Sequence, residues 1–233
     1  MPPANLPSLG LQAAIVDLDG TMVDTLGDFD AALNATLAQL GLPGIARTAI
    51  EPMVGKGTEH LLRAVLAQVR APRDLYNAAW QGYHRNYLRI NGSHSVLYPG
   101  VVEGLEGLRQ AGLQLACLTN KPTELAQRLL CDKGLRPLFA HVFGGDAFER
   151  QKPDPLPLRK TCEALASLPA RTLVIGDSSN DARAARAAGC PVVLVTYGYN
   201  HGQPVRGVDA DGFLDSLAAL PAQLRPAGPA TRP

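Results

Sequence analysis

Ala13-Ala14-Ile15-Val16-Asp17-Leu18-Asp19-Gly20-Thr21 runs from an unbroken apolar segment into two carboxylates and a glycine. An apolar run without polar alternation is the pattern of a strand buried on both faces, as in a parallel sheet. Asp17 and Asp19 would stand side by side where that strand leaves the sheet. Carboxylates so close repel each other and lose hydration, so a fold that keeps both needs a compensating cation or proton. Mg2+ suits the place, being an oxygen-seeking ion commonly held by one or two carboxylates together with substrate phosphate. Gly20 lets the chain turn so that its N–H groups can face an anion. Taken alone, the pentapeptide also fits an ordinary Asp-Gly turn.

Further along the chain, "LQLACLTN", "HVFGGD", "TLVIGD" and "PVVLVTYG" are of the same kind, and helical patterns lie between them. Val101, Val102, Leu105 and Leu108 form one stripe closed by Gly112; Leu125, Leu129 and Leu130 form another closed by Gly134. This β-α-β alternation predicts an α/β fold with a doubly wound, Rossmann-like parallel sheet.

Between about Gly27 and Ser95 no strand is legible. Phe29, Leu33, Leu37 and Leu40 predict a helix ended by Gly41; Leu61, Leu62, Val65, Leu66 and Val69 a second; Leu75, Ala79, Tyr83, Tyr87 and Leu88 a third. Thr48 with Glu51 offers a capping box between them. The expected organisation is a discontinuous catalytic core, residues 1–26 and 96–233, with a small helical cap inserted at 27–95. Hinges are expected around Gly27 and from Asn91 to Gly100, and the tail 221–233, "PAQLRPAGPATRP", reads as loose.

With 46% hydrophobic and 18% charged residues among 233, the chain has apolar surface enough to offset its ordering entropy. A net charge of +1 gives no field that would draw nucleic acid or an acidic membrane. No apolar run approaches the roughly twenty residues of a membrane helix, and the first residues lack a signal-peptide pattern. A cytoplasmic monomer or homodimer acting on a small molecule is expected. Cys117, Cys131, Cys162 and Cys190 show no C-x-x-C spacing and read as reduced.

Three more polar clusters follow predicted strands: Thr119-Asn120-Lys121-Pro122, Lys152-Pro153-Asp154-Pro155, and Gly176-Asp177-Ser178-Ser179-Asn180-Asp181. Each alone could cap a helix. Together with Asp17 and Asp19 they bring a hydroxyl, an amide, ammonium groups and further carboxylates to one end of one sheet.

Those clusters, in this order and with a helical insertion after the first, resemble the haloacid dehalogenase superfamily over roughly Leu11 to Leu220. The resemblance implies a phosphomonoesterase in which Asp17 is the nucleophile and Asp19 the general acid/base. It further implies that Thr119, Asn120 and Lys152 bind phosphate, and that Asp17, Asp19 and Asp177 hold Mg2+ with Asp181 in support. An Asp at position 19 favours phosphate esters over carbon–halogen or carbon–phosphorus bonds. The segments "TNKP", "GGD", "KPDP", "GDSSND", "AAGCP" and "TYGYN" are similar to the bacterial phosphoglycolate phosphatases. Phosphatases of N-acetylmuramate 6-phosphate share several of these pieces.

Substrate choice is expected to lie in the cap, where Gly55, Lys56 and Gly57 form a glycine-rich turn before a helix. Their N–H groups or the Lys56 ammonium could meet a substrate carboxylate; a solvated loop lysine is the competing reading. Trp80, Tyr83 and Tyr87 read as cap core, and the five histidines as incidental. A phosphosugar mutase is the alternative of another reaction class. A non-enzymatic regulatory module is disfavoured because Asp17, Asp19, Lys152 and Asp177 are all present.

Overall fold

The structure, a computed structural model, describes residues 6–224; the last residues of the expected loose tail, 225–233, lie outside them. The elements run β1 (Ala13–Val16), β2 (Val23–Asp24), α1 (Leu26–Gln39), α2 (Arg47–Ile50), α3 (Thr58–Gln68), α4 (Tyr76–Ile90), β3 (Val96–Leu97), α5 (Val101–Gln110), β4 (Gln114–Leu118), α6 (Thr123–Asp132), β5 (His141–Phe143), α7 (Leu156–Ala164), β6 (Thr172–Gly176), α8 (Ser179–Ala188), β7 (Val192–Val195), β8 (Gly212–Leu214) and the short α9 (Leu220–Gln223).

Six strands form one parallel sheet in the order β5-β4-β1-β6-β7-β8. β1 is central because every residue in it is buried and both its edges are paired, Val16 facing Cys117 on one side and Ile175 on the other. Alternate residues serve opposite layers. Val16, Cys117 and Ile175 pack with Leu105 and Leu129, whereas Ile15, Ala116 and Val174 pack with Leu158 and Ala185. The strand order turns at β1, with the crossovers leading away on either side, and such a switch point opens a crevice at the strands' carboxyl ends.

β2 and β3 form a separate antiparallel ribbon, Val23 opposite Leu97 and Asp24 opposite Val96. No strand is legible there because two residues are too few for any period to register. Helices α1 to α4 all lie between those two strands and build a second apolar cluster around Phe29, Leu33, Leu62, Tyr83 and Tyr87, which Leu125 and Tyr199 join from outside the segment. Thr48 caps nothing. It lies inside the four-residue α2, which begins at Arg47 after Ala46 with no side-chain capping bond. β8 likewise went unread, being a three-residue edge strand in a polar stretch.

The entry and exit of the helical segment are tied together. Asp28 is fully buried on α1 and accepts from the N–H groups of Gly92 and His94, each at 2.7 Å, and from the Ser95 hydroxyl. Gly27 leaves no room for a side chain, since a Cβ there would stand 2.6 Å from the carbonyl oxygen of His94.

Candidate active site

The site forms where β1, β4 and β6 end. Asp17 follows β1 directly and its N–H donates to Ile175 O at 2.9 Å, which fixes the carboxylate at the lip of the sheet. The chain then turns within one step, with Met22 N–H on Leu18 O at 3.0 Å and Gly20 N–H on Val23 O at 2.9 Å. Gly20 adopts φ +85°, and a Cβ on it would meet Asp177 Oδ2 at 2.1 Å. Only glycine satisfies both demands.

Lys152 crosses under the site and spends all its donors. Its Nζ reaches Asp17 Oδ1 at 2.7 Å, Asp181 Oδ1 at 2.7 Å and Leu118 O at 2.9 Å. Asp181 also accepts from the Ser178 hydroxyl at 2.7 Å and the Ser178 N–H at 3.2 Å, so the start of α8 is itself part of the site. Asp177 Oδ2 accepts from Tyr199 N–H at 2.6 Å.

Asp17, Asp177 and Asp181 present carboxylate oxygens within 4.8 Å of one another, all buried. One ammonium cannot neutralise three carboxylates. Burial pushes the Asp17 carboxyl up to about 7 despite the pull of Lys152. Burial together with the charges of Asp181 and Asp17 pushes Asp177 well above the ordinary range. Asp181 is held low, because the Lys152 ammonium and the Ser178 donors outweigh its burial. All-oxygen donors with uncompensated negative charge fit a hard divalent cation.

Asp19 does not join that cluster. Its Oδ1 lies 3.1 Å from Lys121 Nζ, which also donates to the Tyr87 hydroxyl at 2.5 Å. Thr119 is buried and accepts from Lys121 N–H at 3.2 Å. Asn120 works as a bracket: its amide donates to Gly55 O at 3.0 Å and Lys152 O at 2.8 Å and accepts from Lys152 N–H at 3.1 Å.

The glycine-rich turn divides. Gly55 and Gly57 line an inner cavity of about 40 Å³ together with Asp17, Asp19 and Thr119, whereas Lys56 faces an outer crevice of about 1170 Å³. Gly55 O is gripped twice from below, by Asn120 and by Asn180 Nδ2 at 3.1 Å. Of the aromatic residues read as cap core, Tyr83 and Tyr87 are buried as expected but also wall the inner cavity. Trp80 is 41% exposed and borders the outer crevice, so its place in the core is corrected: it lies on the solvent side of α4.

Lys121, Asn180 and Tyr199 were given no role from the sequence, and Tyr87 was read only as cap core. Tyr199 accepts from the N–H groups of Thr25 and Leu26 and donates to Asp24, which ties the start of α1 to the residue whose backbone supports Asp177. Lys121 and Asn180 were signalled only by their place within the polar clusters, Tyr87 by its helical stripe and Tyr199 by its place after β7.

A family model described as haloacid dehalogenase-like hydrolase matches residues 14–195. The chain is 41% identical over 213 residues to a phosphoglycolate phosphatase of Thiobacillus denitrificans, covering 90% of this chain and 94% of that one. It is 43% identical over 221 residues to a plasmid phosphoglycolate phosphatase of Cupriavidus necator, covering 94% and 96%. A solved structure from Haemophilus somnus, described as a predicted phosphoglycolate phosphatase, superposes with a TM-score of 0.86 at 32% identity, covering 91% of this chain and 96% of that one.

Proposed function

Since the chain belongs to the haloacid dehalogenase-like hydrolases and is a phosphatase, we propose that it hydrolyses 2-phosphoglycolate to glycolate and phosphate through a phosphoryl group carried on Asp17. The observation that carries the reading is the pairing of two carboxylates in opposite settings at the end of β1. Asp17 stands among Lys152 and the acidic cluster, and Asp19 stands apart on Lys121. Supporting the choice of substrate is the similarity to phosphoglycolate phosphatases over nearly the whole chain.

In the first half-reaction an oxygen of Asp17 attacks phosphorus while the bond from phosphorus to the ester oxygen breaks and Asp19 protonates that oxygen. In the second, Asp19 takes a proton from water, the water oxygen attacks phosphorus, and the bond to Asp17 breaks to release inorganic phosphate. Lys152, with its charge 2.7 Å from Asp17, offsets charge on the transferring group. Thr119 and Asn120 belong to the phosphate side, Asn120 through the main chain of Lys152 that it holds. Asp17 and Asp177, with Asp181 behind them, would hold Mg2+, which when bound supplies further neutralisation of the phosphoryl oxygens. Asp19, engaged by Lys121 instead, is left for proton transfer. We take residues 27–95 as the cap that closes over this chemistry.

Phosphate release from a panel of phosphoesters, with and without Mg2+, tests the proposal. 2-Phosphoglycolate is expected to give the highest kcat/KM, and no turnover is expected after chelation. A clear preference for N-acetylmuramate 6-phosphate, or full activity in chelator, would overturn it.

A further inference from the structure

Two lysines are buried at this site, and only one has its donors filled. Lys152 makes three hydrogen bonds. Lys121 makes two through its ammonium, to Asp19 and to the Tyr87 hydroxyl, and leaves one N–H without an oxygen partner among the described residues. Its side chain is 2% exposed and lines the inner cavity. The ammonium lies 4.5 Å from the ring centroid of Tyr87 and 5.0 Å from that of Phe29, so residues of α4 and α1 close the cage that the loop after β4 begins. An ammonium so enclosed is in a place where water competes weakly and charge attraction is strong.

Position then decides what this cation meets. If Asp19 hands a proton to the leaving oxygen, that oxygen lies within hydrogen-bond reach of Asp19. A cation bonded to Asp19 therefore borders the first atoms of the leaving group. In a phosphorylated 2-hydroxy acid the carboxylate stands one carbon from that oxygen. A neutral alcohol offers nothing there and would leave a buried donor unsatisfied. Lys56, facing the outer crevice, does not line this cavity.

We propose that Lys121 determines specificity by receiving a carboxylate carried on the leaving group beside the ester oxygen, so that the enzyme selects phosphoesters of short hydroxy acids. This rests on the phosphatase reading above, and the test separates the two. It compares kcat/KM for 2-phosphoglycolate with that for 2-hydroxyethyl phosphate, which replaces the carboxylate with a neutral group, in the wild type, Lys121→Gln, Lys121→Met and Lys56→Gln. The wild type is expected to favour the carboxylated ester, and both Lys121 variants to reduce that ratio roughly ten- to a hundredfold, the worth of a charge-assisted contact. Both rates should fall in these variants because Asp19 loses its partner, so the ratio is the quantity to read. Lys56→Gln is expected to change the ratio little.

An equal fall on both esters would overturn the proposal and make Lys121 a positioning residue for Asp19. So would a collapse of the ratio in Lys56→Gln alone. Should neither Lys121 variant fold, the wild type still decides: no preference for a carboxylated ester sinks the inference, even if phosphatase activity stands. A wild type that prefers 2-phospholactate or 2-phosphoglycerate to 2-phosphoglycolate, with that preference erased in Lys121→Gln, would sustain the role of Lys121 while overturning the assigned substrate.

Discussion

Asn120, on the loop that follows β4, donates its side-chain amide to the carbonyl oxygen of Gly55 at 3.0 Å, so the floor of the active end holds the helical segment's glycine turn in place. Asn180 donates to the same oxygen at 3.1 Å. Asn120→Ala and Asn180→Ala should each loosen the turn, and a hydrogen bond of this kind is worth about 0.5–1.5 kcal/mol. Amide hydrogen exchange from Val54 to Thr58 is expected to quicken about two- to tenfold in each variant. Asn120→Ala should also cost more activity on every ester, because it releases the main chain of Lys152. Unchanged exchange in both would show that the turn is held by something else.

Lys152→Met tests the charge balance of the acidic group. Removing a buried ammonium leaves Asp17 and Asp181 facing each other unpaired, a loss expected at about 3–5 kcal/mol for a broken buried pair. Denaturant unfolding in chelator should reveal it, with a smaller loss when Mg2+ is present. A variant as stable as the wild type in chelator would mean that the lysine contributes no net stability.

Acidity gives a third test. Asp17 is raised from 3.8 to about 7, and burial with the charges of Asp181 and Asp17 raises Asp177 well above its ordinary range, so both take up protons on folding. Each therefore costs the metal-free protein stability as pH rises above 3.8, for Asp17 through about 7. Asp181 runs the other way: its contribution persists above its ordinary pKa and is lost only as pH falls below about 4. A cation competes with those protons. The rise in Tm given by Mg2+ should consequently be small at about pH 5 and larger at about pH 8. A rise that is equal at both would place the ion elsewhere.

Glycine at position 20 separates strain from collision. Gly20 and Gly112 share nearly the same φ, +85° and +89°, yet a Cβ at Gly112 meets nothing within 4 Å while one at Gly20 runs into Asp177. Both alanine variants should lose about 1–2 kcal/mol from the left-handed backbone. Only Gly20→Ala should lose activity, read as kcat on 2-phosphoglycolate. Equal kinetics in the two would remove Asp177 from the account of Gly20.

Much of the molecule was legible because the physics is local. β1, β4, β5, β6 and β7 announce themselves as apolar runs, and α5 and α6 end where Gly112 and Gly134 take positive φ. The polar clusters were legible because each follows a strand in a fold whose strands share one active end. Lys121 was present in its cluster but unremarkable there, since its setting is made by Phe29 and Tyr87, which are distant in sequence. For the same reason Tyr87 showed only its helical stripe, not the hydroxyl turned to the site. Lys56 drew notice from its neighbouring glycines, although its side chain turns to the outer crevice. The ribbon of β2 and β3 is made by pairing across 71 intervening residues, from Thr25 to Ser95, and no local pattern encodes it.

The central claim is that the phosphoryl group passes through Asp17, and trapping it there is the most direct measurement. Enzyme mixed with 2-phosphoglycolate and Mg2+, quenched rapidly and reduced with borohydride, should carry homoserine at position 17 when its peptides are read by mass spectrometry. The mark should vanish when Mg2+ is chelated. Phosphate release with aspartate intact at position 17 at every quench time, or with the mark at Asp19 instead, would contradict the account.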